Sequence, residues 1–393
     1  MMGIAEKVAD TIISNNKYVL IEASLCTRFR TPKSDCSICV DLCPMATISI
    51  SENGAEIKGG CVGCGVCAAA CPNGALRIKE RDDKEIIQEI GLKPIGQGAG
   101  TFRISCERGD ASSDLIVSCL GRLTDVLLLE PIRIGASKIE IIEPSCSECP
   151  SAKASADLDK IVQQAQYLCE MLGIKRDRIY KKNIPLQDLI KKPEKPVSRR
   201  EFLGAIRKNA MGVAAASIPD FENKEKGITE EFRDVIRKSP ENLKRTLLLE
   251  SLSNFLEKDR TLKAVSINSK DAVLAEVEVA SECTACGVCA ALCPTGAITQ
   301  LQTEDLFSLS FRPYLCTNCQ VCVKTCMHKA INIKESVLLN LLLEQKEVKL
   351  FEGKKKACAA CQLDFIDKGS ADICPLCIDR HKRQTSAAEM LFK

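Results

Sequence analysis

The sequence predicts an α+β multidomain protein. Two small cysteine-rich modules flank a small α/β parallel-sheet domain, with a helical linker before the second module and a four-cysteine knuckle at the C-terminal end. Three observations carry that expectation. Sixteen of the 25 cysteines fall into four groups of one spacing, and the groups come as two pairs far apart in the chain. Residues from about 95 to 182 alternate short β-rich runs with helical patterns, as βαβ units do. Four further cysteines, Cys358, Cys361, Cys374 and Cys377, form two CxxC pairs.

The first module is drawn at 1–82. An amphipathic stretch around Ile4–Ile13 and a short strand near Tyr18–Glu22 lead into Cys26-x9-Cys36-x2-Cys39-x3-Cys43-Pro44, and Cys61-x2-Cys64-x2-Cys67-x3-Cys71-Pro72 follows. The second module, 262–335, carries Cys283-x2-Cys286-x2-Cys289-x3-Cys293-Pro294 and Cys316-x2-Cys319-x2-Cys322-x3-Cys326, with Met327 in place of the proline. A small apolar segment follows every group (Ala46-Thr47-Ile48, Ala75 to Ile78, Ala297-Ile298-Thr299, Ala330 to Ile333), an internal repeat in each module. The 17 residues between Cys43 and Cys61 and the 22 between Cys293 and Cys316 each fit a hairpin between half-sites.

Three cysteines at strict two-residue spacing, then a fourth three residues on, form the run that holds cubane [4Fe–4S] clusters, the fourth ligating the neighbouring cluster. Zinc takes four thiolates from two CxxC pairs and does not call for this third cysteine or for paired octets. Both modules resemble two-cluster bacterial ferredoxins, and the chain a bacterial polyferredoxin. The resemblance implies four [4Fe–4S] clusters with crossed ligation. One set is Cys26, Cys36, Cys39 and Cys71, and the next is Cys61, Cys64, Cys67 and Cys43. In the second module the sets are Cys283, Cys286, Cys289 and Cys326, and Cys316, Cys319, Cys322 and Cys293. Small residues between ligands (Gly63, Gly65, Ala68, Ala285, Gly287, Ala290) let backbone N–H groups approach the sulfurs and tune potential. Lys33 stands where a regular run would put the first cysteine of the first group. Either an inserted loop delivers Cys26, or three cysteines hold a [3Fe–4S] cluster.

In the domain at 95–182, β-rich runs at Phe102–Ser105, Leu115–Cys119 and Lys138–Ile142 alternate with helical patterns at Leu123–Ile134 and Ala152–Leu172. Cys106, Cys119, Cys146 and Cys149 lie at or just after strand ends, where open α/β sheets form their ligand crevice. Cys119-Leu120-Gly121-Arg122-Leu123, the segment Ile134 to Ile139, Cys146, Cys149 and a long helix ending Leu172-Gly173-Ile174 resemble the delta subunit of methyl-viologen-reducing hydrogenase. That resemblance implies one [2Fe–2S] cluster on the four cysteines. It also implies a flavin-containing heterodisulfide-reductase-like partner subunit and a dehydrogenase, hydrogenase or reductase catalytic subunit. The chain departs from that family at Pro150 and Ser151, where the family has histidine and tyrosine, and in having Cys106 alone in the early segment. Zinc, or no metal, are the alternatives at this site.

Residues 183–261 read as a Lys/Pro-rich linker and then a charged helical spacer (Phe232, Val235, Ile236; Leu247, Leu248, Leu252, Phe255, Leu256). Within it, Ser198-Arg199-Arg200-Glu201-Phe202-Leu203 looks like a twin-arginine motif, but its place deep in the chain and its weak apolar follow-up speak against a signal. A short helical stretch, Val337–Glu344, leads to a zinc-ribbon-like module at 352–383. There Cys358, Cys361, Cys374 and Cys377 have the spacing of a closed structural zinc site, with a single rubredoxin-like iron as the alternative. Cys169 is left over on an apolar helical face, as a buried inert thiol.

The balance of 55 basic and 52 acidic residues leaves a net charge of +3, so no nucleic-acid partner is expected. No apolar run approaches the roughly 18–20 residues of a membrane span, and Met1–Asp10 shows no secretion signal. Ligand-spaced thiols argue for a reducing, anaerobic cytoplasm, with membrane attachment only through partners. There is no P-loop, and Gly96-x-Gly98-x-Gly100 precedes a strand rather than a helix. The two histidines, His328 and His381, join no catalytic constellation. The expected function is therefore an iron–sulfur electron-transfer subunit of a multi-subunit oxidoreductase. Its rivals are an enzyme with an open-site cluster at Cys106, Cys119, Cys146 and Cys149, and an iron–sulfur scaffold or sensor.

Overall fold

The computed structural model describes residues 17–51, 53–94, 100–185, 240–258, 266–269, 274–366 and 372–382. The amphipathic stretch at Ile4–Ile13, the twin-arginine motif and the spacer's Phe232–Ile236 lie outside them. The chain is a mixed α/β protein of several small sheets.

The first module has four short strands, β1 (Val19–Ile21), β2 (Ile48–Ser51), β3 (Gly54–Ile57) and β4 (Leu76–Ile78). β1 pairs antiparallel with β4, while β2 and β3 form the hairpin expected between the half-sites. Strands of three or four residues bury little by themselves. The module's core is accordingly built on its cysteines: Cys26, Cys39, Cys43 and Cys67 pack among Val19, Leu25, Ile48, Ala55, Ala75 and Leu76. Such a core depends on what the thiols bind.

The next domain is a four-stranded sheet in the order β6-β5-β7-β8, with β5 Thr101–Cys106, β6 Leu115–Val117, β7 Lys138–Glu143 and β8 Ile179–Asn183. All three pairings are parallel, which requires crossovers. Helices Asp125–Arg133 and Leu158–Met171 supply two of them. The first crosses over between β6 and β7 and the second between β7 and β8. Ile104, Leu115, Val117, Ile139, Ile141 and Ile179 are buried on the sheet, the near-continuous apolar pattern of a strand covered on both faces. β8 was not expected from the sequence. Its residues Ile179 to Asn183 carry two lysines and an asparagine, and it sits at the sheet edge where only one side pairs. A further helix, Asp83–Gly91, opens on a capping box: Asp82 accepts from the Glu85 N–H at 2.9 Å and Glu85 from the Asp82 N–H at 3.1 Å. It drops Ile86 and Ile90 into the same core.

The helix Leu243–Lys258, expected as a spacer, is a packed element. Leu247, Leu248, Leu249, Leu252 and Phe255 are buried in one apolar cluster with the α/β domain's Val126, Leu127 and Leu129 and with Ile267, Leu274, Val337, Leu339 and Leu342. Burial of each such side chain contributes on the order of 1.5–3 kcal/mol, so the helix joins the α/β domain to the second module.

That module repeats the first. β10 (Val277–Val279) pairs with β13 (Ile331–Ile333), and β11 (Ile298–Gln302) with β12 (Leu306–Phe311) forms the hairpin. The stretch Val337–Glu344, expected as helix, falls instead on β14 (Ser336–Leu338), paired with β9 (Ser266–Asn268), and then on helix Leu339–Leu343. Ser336 and Leu338 are exposed and Val337 buried, the alternation of a strand. β15 (Val348–Ala357) then pairs with β12, and β16 (Asp364–Ile366) with β15, giving one sheet in the order β11-β12-β15-β16. The C-terminal knuckle is thus fastened to the second module by a continuous sheet.

Candidate metal centres

All 25 cysteines are free thiols, and their grouping follows the fold. A left-handed residue recurs two and four positions after the first cysteine of each regular run: Gly63 and Gly65, Ala285 and Gly287, Asn318 and Gln320. Another recurs three positions after the last cysteine of all four groups, at Ala46, Gly74, Gly296 and Lys329. These turns bend the chain around each site so that N–H groups face the sulfurs. The Ala330 N–H donates to Cys326 Sγ at 3.3 Å and the Ala285 N–H to Cys283 Sγ at 3.5 Å. The displaced first group lacks the loop turns. There the hairpin glycine Gly54 (φ +91°) approaches instead, with an added Cβ standing 3.3 Å from Cys26 Sγ.

Within each module the thiols act on one another. Burial and then the charges of Cys71, Cys26 and Cys36 push Cys39 up to about 12. Cys67 is raised by burial and by Cys64, Cys61, Cys39 and Cys43. In the second module, burial and the charges of Cys283 and Cys286, with Cys326 behind them, push Cys289 up to about 12. Cys319 reaches about 12 through burial, Cys293 and Cys316, and Cys322 is raised by burial, Cys316, Cys319, Cys293 and Cys289. Cys26, for all its distance in sequence, is among the thiols that act on Cys39.

The α/β domain brings its four cysteines together at the carboxyl ends of the strands. Burial and then Cys64, Cys106 and Cys146 push Cys119 up to about 12, and burial and Cys149 raise Cys106. Cys149 Sγ accepts from Arg108 Nη1 at 3.7 Å and from the Ser151 N–H at 3.4 Å. The largest thiol influence on Cys119 comes not from its own set but from Cys64 of the first module. Ser118 Oγ donates to the Cys64 carbonyl at 3.2 Å, and Arg122, almost wholly buried, fills the space over Gly65.

The knuckle is tighter than any of these. Its four sulfurs lie within 4.8 Å of one another, alone in this among the cysteine groups of the described residues, and Cys361 Sγ stands 3.8 Å from Cys374 Sγ. Four thiolates at about 2.3 Å from one tetrahedral ion are about 3.8 Å apart, so these sulfurs fit a single metal ion. The Cys374 N–H donates to Cys358 Sγ at 3.2 Å and holds Cys358 down, while hydrogen bonding to Cys361, Cys374 and Cys358 raises Cys377. Cys169 is fully buried on helix Leu158–Met171, outside every set.

The start of helix Leu243–Lys258 was missed as part of these centres. Asn242 Nδ2 donates to the Pro72 carbonyl at 3.1 Å, and Lys244 Nζ to the Ala69 carbonyl, both beside Cys71. Arg245 donates to the carbonyls of Tyr314 (2.9 Å) and Pro313 (3.2 Å), just before Cys316. The two modules also touch directly, through Thr317 donating to Asn73 and through the Lys324–Asp35 ion pair. Basic residues on a charged helix give no sequence signal of such a place.

The 4Fe-4S binding domain family matches residues 57–77 and 277–299, which hold Cys61 to Cys71 and Cys283 to Cys293. The chain therefore carries two 4Fe-4S binding domains and, with them, an iron–sulfur electron-transfer role. No curated protein matches the chain. No helix among the described residues is long and apolar enough to cross a membrane.

Proposed function

We infer that the chain is an electron-relay subunit with four [4Fe–4S] clusters on the crossed cysteine sets. A fifth, [2Fe–2S], cluster lies on Cys106, Cys119, Cys146 and Cys149, and a zinc ion on Cys358, Cys361, Cys374 and Cys377. When bound, the clusters supply one-electron oxidation and reduction; the chain's residues hold the sites in order. The observation that carries this reading is the hydrogen bond from Ser118, beside Cys119, to the Cys64 carbonyl at 3.2 Å. It supports electron exchange between the α/β site and the set of Cys61, Cys64, Cys67 and Cys43.

On this reading the sets follow one another as a row. Within the first module the charge of Cys39 acts on Cys67. Asn73, two residues past Cys71, meets Thr317, the residue after Cys316. Within the second module the charge of Cys289 acts on Cys322. A row with the α/β site at one end suits a subunit joining two redox partners. The likeness of that domain to a hydrogenase delta subunit supports a flavin-containing heterodisulfide-reductase-type subunit as one of them. A dehydrogenase, hydrogenase or reductase is the other, in a reducing cytoplasm.

Iron, acid-labile sulfide and zinc per chain of anaerobically purified protein test the scheme. Four cubanes and one [2Fe–2S] give about 18 iron, with one zinc. About 16 iron would make the α/β domain a docking platform, and several zincs with little sulfide would overturn the relay.

A further inference from the structure

Two arginines are buried against one cysteine set, and neither belongs to the module that holds it. Arg30, from the first module, is 2% exposed; its Nε donates to the Ser24 carbonyl at 2.6 Å, and its Nη1 reaches across to the Ala291 carbonyl at 3.4 Å. Ala291 lies in the short helix Val288–Leu292 that ends at Cys293. Arg245, from helix Leu243–Lys258, is 5% exposed and bonded to the carbonyls of Tyr314 and Pro313, on the turn Pro313–Leu315 that delivers Cys316. Cys293 and Cys316 are two members of one set, with Cys319 and Cys322.

Burying a guanidinium is costly unless an anion compensates it. The carbonyl oxygens that accept from Arg30 and Arg245 carry no net charge of their own. The leading anionic influence on Arg30 is Cys293, ahead of Glu22, and on Arg245 it is Cys316, ahead of Asp125. Burial lowers Arg245 only to about 10, so it stays charged at neutral pH. The companion set differs: the influences on Cys289 are burial, other thiols and the backbone of Ala290.

We propose that Arg30 and Arg245 raise the reduction potential of the cluster on Cys293, Cys316, Cys319 and Cys322 above that of its companion in the same module, so that electrons collect where the two modules meet. The proposal rests on the relay reading above. A cluster gains one negative charge on reduction, and a fixed cation shielded from solvent favours that state. Both cations arrive from outside the second module, so the potential of this cluster depends on docking. The electron sink exists only in the assembled chain.

The test is a redox titration of the full, anaerobically purified chain followed by EPR, with the Cys319→Ser variant used to identify which transition belongs to this set. Arg245→Gln and Arg30→Gln are each expected to disfavour reduction of that transition about tenfold, a shift of about 59 mV for one electron. The double variant should shift it further, and Arg245→Lys should restore most of the effect. Arg30 bonds beside Cys293 and Arg245 beside Cys316, so either variant serves if the other fails to fold. An unmoved transition, or an equal shift of all transitions, at full iron content overturns the proposal. Wild-type protein with too little iron and sulfide for four cubanes overturns the relay reading itself.

Discussion

Ser118 donates its hydroxyl hydrogen to the backbone carbonyl of Cys64 at 3.2 Å. The two residues are 54 positions apart and sit beside ligand candidates of different domains, Cys119 and Cys64 itself. Gly121 makes the approach tight: a Cβ there would stand 2.3 Å from the Ala154 carbonyl oxygen and 2.9 Å from Val66 Cγ2. The 3₁₀ turn Leu120–Arg122 thus packs between its own domain and the helix Val66–Ala70 that follows Cys64. Only a residue without a side chain fits.

Gly121→Val is expected to push the α/β domain off the first module without removing a thiol. The iron content should stay at the wild-type value, while reduction of the α/β site through the first module, followed by stopped-flow absorbance, slows by tenfold or more. Unchanged kinetics would mean that the α/β site exchanges electrons by another route.

Cys26 lies against the hairpin glycine Gly54 and adds its charge to Cys39 beside Cys36 and Cys71. Cys26→Ser should therefore remove or convert one cluster, lowering the count by about one to four iron and changing one EPR signal. An unaltered iron content and spectrum would show that Cys36, Cys39 and Cys71 suffice by themselves.

The cysteine framework was legible in the sequence because ligand spacing is a local property. The runs from Cys61, Cys283 and Cys316 each carry their own turns, and the hairpins β2–β3 and β11–β12 lie where the gaps between half-sites put them. The parallel sheet was legible too, except for β8, whose Lys181, Lys182 and Asn183 mask an edge strand. What could not be read was long-range. Nothing in Asn242-Leu243-Lys244-Arg245 says that these residues meet Pro72 and Tyr314, or that Leu247 to Phe255 close a core shared by the α/β domain and the second module. The charged face of that helix looks like a solvated one because its partners are carbonyls and thiols, which leave no complementary charge pattern in the sequence.

Leu252 is 1% exposed in that shared core. Leu252→Ala should destabilise the chain by about 2–5 kcal/mol through lost transfer energy and the cavity left behind. The loss should appear in denaturant unfolding of the α/β domain and the second module together, since one helix serves both. A spacer would behave otherwise: if Leu252 only linked two independent domains, the substitution would leave both transitions in place.

The knuckle offers a separate test, because its metal can be removed without touching iron. Strand β15 runs into Cys358, and β16 returns antiparallel with Ala357 opposite Asp364, so the sheet holds one cysteine pair. The second pair, Cys374 and Cys377, is fastened through the Ala359 N–H to Asp372 carbonyl bond of 2.8 Å and the Cys374 N–H to Cys358 Sγ bond of 3.2 Å, and a bound ion would tie it further. Zinc needs thiolates, so protons compete with a bound ion as pH falls. Cys361→Ser, or a chelator at neutral pH, is expected to remove one zinc, leave the iron count unchanged and open the chain to protease beyond Ala357. The β12–β15 pairing should survive, because it rests on Phe307, Leu309 and Phe311 in the module core. Coupled loss of zinc and cubane iron would mean that the knuckle supports the neighbouring clusters as well as its own fold. One iron in place of zinc, with a rubredoxin-like absorbance, would make the knuckle a sixth redox centre on the same sheet.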